Sequence, residues 1–260
     1  MKKMTRKIFT AFAFCSALSF STELFAEPGI VYISPNNDGI QDTLEVPLKI
    51  REKRYVKEWS FVITDEAGNV VRTIGNKISL PSKFTFKTFF KTLITPKRGV
   101  DIPSTIVWNG FLDDGSLAQD GTYYYQFTAS DDNGNTATTS KLPVVVDNTP
   151  PEINLANLAG SDKIFGEGNK AVLKIKQSGS AEKLWTAKIT DAQGNLVRSY
   201  KWEDSSPLEI EWNGTNESKS IVPDGVYNYE ITSTDLAGNT SEQARISNII
   251  FSAEKPETAV

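Results

Sequence analysis

The sequence predicts an all-β chain: two tandem antiparallel β-sandwiches behind a secretory signal peptide. Three observations carry this. The chain repeats itself: WSFVITDEAGNVVRTI at 59–74 returns as WTAKITDAQGNLVRSY at 185–200, and WNG at 108–110 with DGTYYYQFTASDDNGNTA at 120–137 returns as WNG at 212–214 with DGVYNYEITSTDLAGNTS at 224–241. The offset, roughly 100–125 residues, is a domain length and far longer than a solenoid repeat. Short runs rich in Val, Ile, Thr, Tyr, Phe and Trp alternate with Gly, Asn and Asp punctuation, the pattern of half-buried strands. The first 26 residues stand apart in composition.

Those residues follow the three-part pattern of an export signal. Lys2, Lys3, Arg6 and Lys7 form a positive start, Ile8 to Phe20 an apolar run, and Leu24-Phe25-Ala26 a cleavage site. Thirteen apolar residues are too few to span a bilayer core, which takes about 20. Cys15 is the only cysteine, and Phe14 before it is not the small residue that a lipoprotein signal requires. Cleavage after Ala26 therefore leaves a mature chain without thiols, disulfides or thiolate metal sites. It also shifts the net charge from −4 to −7, because residues 1–26 carry four cations and the single acid Glu23.

Strands are expected over Leu44–Ile50, Trp59–Thr64, Val70–Thr73, Thr122–Ala129 and Leu142–Val146. In the second copy they fall at Ala171–Ile175, Trp185–Thr190, Leu208–Trp212, Val226–Ser233 and Ile246–Phe251. Asp-x-x-Gly-Asn occurs four times between such runs, starting at Asp65, Asp131, Asp191 and Asp235. An Asp carboxylate bonds backbone N–H groups just downstream and Gly accepts positive φ, so the spacing suits a tight hairpin turn. Trp108 and Trp212 read as core anchors, and Asp120-Gly121 and Asp224-Gly225 as turns into the tyrosine-rich strands. Asn148-Thr149-Pro150-Pro151 is a stiff, extended linker. The expected layout is signal peptide 1–26, sandwich 27–147, linker 148–151, sandwich 152–253 and polar tail 254–260.

These motifs resemble the Ig-like domain of the flagellar hook-capping protein FlgD and its relatives in exported bacterial proteins. The shared pattern is Trp-Asn-Gly, then Asp-Gly-x-Tyr, then Asp-x-x-Gly-Asn, and both copies carry it. The resemblance implies two Ig-like sandwiches. The tandem behind a signal peptide is also similar to repeat proteins of spirochaete envelopes. A hook-cap-like assembly role is a further alternative, against which the cleavable signal argues. Ser34-Pro35-Asn36-Asn37-Asp38-Gly39-Ile40-Gln41-Asp42 resembles the opening of modules in gliding-motility and other surface proteins. Oxygen donors at alternating positions with a Gly for the bend suit calcium, which places a candidate metal site at Asn36, Asp38 and Asp42. Those residues supply two carboxylates and no distal bidentate Glu, and the plainer reading is a turn leading into the first strand. The matching segment 165–171 has lost the pattern. No other cofactor is expected.

The copies differ by an insertion. Ile74 to Trp108 spans 34 residues and Tyr200 to Trp212 only 12, so 22 extra residues lie within 75–106. The segment carries Lys77, Lys83, Lys87, Lys91, Lys97 and Arg98 against Asp101, a net charge of +5, along with Phe84, Phe86, Phe89 and Phe90. Lysines four apart suggest an amphipathic helix, while Lys-Phe-Thr-Phe-Lys alternates like a strand. Three readings follow: a loop packed onto its own sandwich, a partner-binding element, or contact with anionic lipid or glycan. The candidate partner-binding residues are Lys83, Phe84, Phe86, Lys87, Phe89, Phe90, Lys91, Lys97 and Arg98.

Composition narrows the function classes. There is no histidine, which removes the usual general base and the commonest zinc ligand. No nucleophile elbow or phosphate-binding glycine loop is present, and an acidic chain has no electrostatic footprint for nucleic acid. The leading expectation is a non-enzymatic structural or protein-binding module of the cell envelope, in the periplasm or at the surface, its partner an envelope protein or a glycan. The alternative is a carbohydrate-binding module with Tyr123, Tyr124, Tyr125, Tyr227 and Tyr229 as sugar platform. Along each strand, alternation sends neighbouring side chains to opposite faces.

Overall fold

Alternating apolar side chains assemble the strands into two sheets per unit. The computed structural model describes residues 13–15, 29–50, 56–77 and 99–253. It divides into two compact units, Met1–Asn148 and Thr149–Val260. Unit 1 contains β1 (Ala13–Cys15), β2 (Val31–Ile33), β3 (Leu44–Ile50), β4 (Val56–Thr64), β5 (Val70–Lys77), β6 (Thr105–Trp108), β7 (Gly121–Asp131), β8 (Thr136–Thr138) and β9 (Leu142–Val146). Its larger sheet runs β2-β9-β7-β4-β5, with β8 also on β7, and its smaller sheet runs β1-β3-β6.

Unit 2 contains β10 (Ile153–Leu155), β11 (Ile164–Gly166), β12 (Leu173–Gly179), β13 (Leu184–Asp191), β14 (Leu196–Glu203), β15 (Glu209–Trp212), β16 (Gly225–Thr234) and β17 (Ala244–Ser252). One 3-10 turn, Gly160–Lys163, precedes β11. The larger sheet runs β11-β17-β16-β13-β14 and the smaller β10-β12-β15. The strand order repeats that of unit 1, and each larger sheet has one parallel edge pair, β2 on β9 and β11 on β17, and is otherwise antiparallel.

Each unit has its own core. In unit 1, Trp59, Phe61 and Ile63 of β4 and Tyr123, Tyr125 and Phe127 of β7 lie side by side on one sheet and pack with Leu44, Val46 and Leu48 of β3. In unit 2, Trp185, Ile189, Tyr227, Tyr229 and Ile231 pack with Leu173, Ile175 and Trp212. The tyrosine-rich strand β7 alternates as expected, with Tyr123, Tyr125, Phe127 and Ala129 inward and Tyr124 outward.

Several strand limits differ from the sequence reading. β4 starts at Val56, and β12 runs over 173–179, with Ala171 and Val172 in the bend before it. Residues 75–77 of the insertion extend β5 along β4, and 105–106 open β6. Ala13–Cys15, within the segment read as a signal peptide, pair in parallel with Leu48–Ile50. Among the described residues no helix is long and apolar enough to cross a membrane.

Candidate interaction surface

The repeated motif residues are consumed by the fold. Trp108 and Trp212 are fully buried, and each indole Nε1 donates to a carbonyl three residues on, Phe111 at 2.8 Å and Thr215 at 2.9 Å. Each ring meets a tyrosine edge-on, Tyr123 at 5.7 Å and Tyr227 at 5.1 Å, the geometry that the ring quadrupoles favour. Those tyrosines send their hydroxyls back to the carbonyls of Gln119 and Pro223, at 3.1 and 2.6 Å. The glycine of Trp-Asn-Gly is required twice over. Gly110 and Gly214 have φ of 79° and 72°, and a Cβ there would come within 2.6 Å of Pro35 and 2.3 Å of Phe251.

The four Asp-x-x-Gly-Asn segments are turn clamps. The Asn amide N–H and side-chain Nδ2 both donate to the Asp carboxylate, at 2.7 and 2.9 Å for Asn69 on Asp65 and 2.9 and 2.8 Å for Asn239 on Asp235. Asn135 on Asp131 and Asn195 on Asp191 repeat the geometry. The Asn side-chain bond, helped by backbone N–H groups, holds Asp65, Asp131 and Asp191 below the usual carboxylate value.

The loop at 34–42 lies between β2 and β3 and is held from within. Asp42 accepts the amides of Asn37 at 2.6 Å and Gly39 at 2.7 Å, one on each oxygen. Asp38 accepts Ile40 N–H at 2.7 Å on one oxygen and Asn36 Nδ2 at 3.0 Å on the other. All four carboxylate oxygens thus bind the loop's own N–H groups, the arrangement of a self-capped turn. Among the described residues no three Asp, Glu or Cys side chains gather where they could hold a metal ion.

Four of the five tyrosines considered as a sugar platform are core residues: Tyr123, Tyr125, Tyr227 and Tyr229. This corrects the platform reading, because the buried face of each strand takes these rings. Burial raises Tyr125 to about 12, and it raises Tyr229 as well. Tyr229 donates to Gln177 Oε1 at 2.6 Å inside unit 2. Lys83, Phe84, Phe86, Lys87, Phe89, Phe90, Lys91, Lys97 and Arg98 lie outside the described residues. The C-terminal end of the insertion is described, and it packs. Ile102 is buried in the unit 1 core, Val100 N–H donates to Val56 at 2.8 Å, and the Asp101 carbonyl accepts Trp59 Nε1 at 2.9 Å.

The sequence reading missed a pair of acids that guard sheet edges. Asp113 Oδ2 accepts the Thr73 amide at 3.1 Å while the Asp113 amide donates to Val71 at 2.9 Å, so the loop after Trp108 pairs with the outer side of β5. Glu217 does the same on β14, accepting Ser199 N–H at 2.6 Å and donating to Val197 at 3.1 Å. The readable signal was an acid five residues after each Trp of the repeated Trp-Asn-Gly. Exposed at this end of unit 1, among polar residues such as Asp38, Glu66 and Asp114, are the apolar Ile40, Val70, Phe111 and Leu117. The 34–42 loop, the 65–69 turn and the 109–120 loop leave strands at the same end of unit 1. The outer face of the β13–β16 sheet holds an open groove of about 210 Å³, lined by Thr186, Lys188, Glu230, Thr232 and Gln243 among others. Its charges are already paired, Glu230 with Lys188 at 3.0 Å and with Arg245 at 3.6 Å.

Two sandwiches with this strand order and these Trp–Tyr cores have an Ig-like fold. Residues 161–236 match the sequence model of the FlgD Ig-like domain. Bacillopeptidase F of Bacillus subtilis (strain 168) is 29% identical over 181 residues, which cover 64% of this chain and 11% of that protein. The chain therefore spans about a tenth of that relative's length. Among solved structures, the fibronectin(III)-like modules of Clostridium thermocellum CbhA align over 89% of this chain and 95% of theirs, with 13% identity and a TM-score of 0.40. A tetra-tandem repeat from the extending region of a large adhesion protein aligns over 80% of this chain and 49% of its own, with 19% identity and a TM-score of 0.33.

Proposed function

We propose that the chain is an exported, non-enzymatic Ig-like module of the cell envelope that works by binding a protein partner. The observation that carries this reading is where the chemistry-bearing side chains go. The repeated Asp residues clamp turns and the repeated Trp and Tyr fill cores, so what faces outward suits contact and not catalysis. Export rests on the three-part leader at residues 1–26. The contact surface is the basic, Phe-rich part of the insertion, since loops on a rigid sandwich are where such folds bind. The exposed Ile40, Val70, Phe111 and Leu117 add apolar side chains at the loop end.

The test is a crosslinking capture from envelope fractions. The bait 27–260 is compared with a version in which 79–97 is replaced by a short Gly-Ser link. Residues 99–104 must stay, because Ile102 and the Asp101 carbonyl belong to the core. A partner held by the first bait and lost by the second supports the reading. An equal catch moves the contact to the shared sandwich surface, and no specific catch with either bait rejects protein binding.

A further inference from the structure

Both units have the same three residues of one strand paired on its outer side, by different segments. In unit 2, β12 pairs with β15 on one side and β10 on the other, and β10 lies antiparallel on Gln177–Gly179. Leu173 sits opposite Trp212 as Leu44 sits opposite Trp108, so Gln177–Gly179 correspond to Leu48–Ile50. Those are the residues that β1 covers in unit 1. The Leu48 amide donates inward to Ser104 at 2.8 Å, as Gln177 does to Leu208 at 2.9 Å. Antiparallel alternation then turns the backbone groups of Glu45, Pro47 and Lys49 outward. Pro47 has no N–H to give, which confines an added strand to its C-terminal side.

The two covering segments have different fates. β10 is part of unit 2, but β1 lies within the leader that export removes. Among the described residues nothing but β1 pairs with Leu48–Ile50 on that side, so leader removal uncovers an edge there, and such an edge is a template for another strand. The sequence also repeats the segment that fills the matching edge in unit 2. Val146 lies opposite Gly121 and Phe251 opposite Gly225. Two residues later Asn148 N–H donates to Asp120 at 2.8 Å and Ala253 N–H to Asp224 at 2.6 Å. Counting on from these anchors aligns Pro151-Glu152-Ile153-Asn154-Leu155 with Pro256-Glu257-Thr258-Ala259-Val260. The residues that form β10 thus fall on the last three of the tail, which lies outside the described residues and enters by sequence alone. In the register of β10, Thr258 comes opposite Ile50 and Val260 opposite Leu48.

We propose that the Leu48–Ile50 edge of the processed chain is a strand-acceptor site and that its occupant is residues 256–260 of a second copy. The contact joins unlike surfaces, the tail of one copy and unit 1 of the next, so it generates a head-to-tail series. In the unprocessed chain β1 occupies the same edge, and assembly waits for leader removal. This rests on the export reading above and is independent of the partner reading.

The test uses the chain 27–260, which has no cysteine of its own. Thr258 and Ile50 occupy a non-hydrogen-bonded register position, where Cα atoms approach to about 4.5 Å, within disulfide reach. Variants T258C and I50C, each shown to melt like the parent, are mixed and oxidised. The expected product is the mixed disulfide in excess over both homodimers. In sedimentation, the mass of 27–260 rises with concentration while that of 27–253 stays monomeric. A statistical mixture of disulfides with monomeric 27–260, or equal association by 27–253, overturns the proposal. An I50C/T258C double variant that closes only on itself places the tail on its own chain and rejects the second copy as occupant. Failure of the export reading has a separate signature: the protein recovered from cells keeps residues 1–26 by mass spectrometry.

Discussion

At single residues, the repeated motif is a record of steric necessity. Gly214 and Gly194 have similar positive φ, 72° and 85°, but only Gly214 faces a wall, with the Phe251 ring 2.3 Å from where a Cβ would sit. Gly194→Ala is expected to cost about 1–2 kcal/mol, the strain of the left-handed region. Gly214→Ala adds overpacking and is expected to cost about 2–5 kcal/mol in all. Urea unfolding measures both, and equal losses would refute the packing argument. The turn aspartates predict an acid limb. Asp65, Asp131 and Asp191 are depressed below 3.8 by their Asn partners. A depressed carboxylate contributes stability above its unfolded value, and that contribution is lost as pH falls through the folded value. Stability should therefore be flat above about pH 5 and decline below about pH 4. Asp→Asn at all three positions should flatten that decline, as read by thermal melts from pH 2 to 6.

Elements show which parts of the design the sequence exposed. Trp-Asn-Gly and Asp-x-x-Gly-Asn were legible because each residue type answers a demand of local geometry. The inward tyrosines were not, because alternation separates Tyr124 from Tyr123 and Tyr125 without saying which side is core. β2, β10 and β11 have three residues each, too few to display a period. The insertion defeated the reading for a different reason: its lysine spacing fits a helix and its Phe-Thr alternation fits a strand. Its C-terminal end joins the core. Segments 100–104 and 204–208 make matching backbone bonds, Val100 to Val56 and Asp204 to Lys183, so Ile102 occupies the place of Ser206. Ile102→Ala should cost about 2–5 kcal/mol, whereas Ser206→Ala should fall within about 0.5 kcal/mol. Similar losses would show that the insertion is not anchored there. The acids on the edge strands make another prediction. Glu217→Ala should accelerate hydrogen exchange at the Ser199 amide, which it accepts at 2.6 Å, and leave the amides of β13 protected. Uniform acceleration would mean that the clamp supports the whole unit and not one edge.

At the scale of the molecule, the two cores share no residue. The unit 2 cluster draws its buried members from Phe165 to Phe251, and the unit 1 cluster from Ile33 to Val146. Unit 2 also guards its own edges. β10 covers β12, and the loop carrying Glu217 covers part of β14. A domain of this size buries roughly two thirds of the surface its unfolded chain exposes, enough for cooperative folding without a partner or a disulfide. The fragment 149–260 is therefore expected to fold alone. Its urea transition should be single, with a slope of about 1–3 kcal/mol/M. Fluorescence from the buried Trp185 and Trp212 should change at the same midpoint as the far-ultraviolet circular dichroism of the sheets. Separate midpoints, or a fragment without a transition, would show that unit 2 borrows stability from outside residues 149–260. A fragment that folds would also supply the control for the strand-acceptor site. Because β10 already occupies the Gln177–Gly179 edge, a peptide of residues 253–260 should bind the processed chain at unit 1 and leave 149–260 unbound.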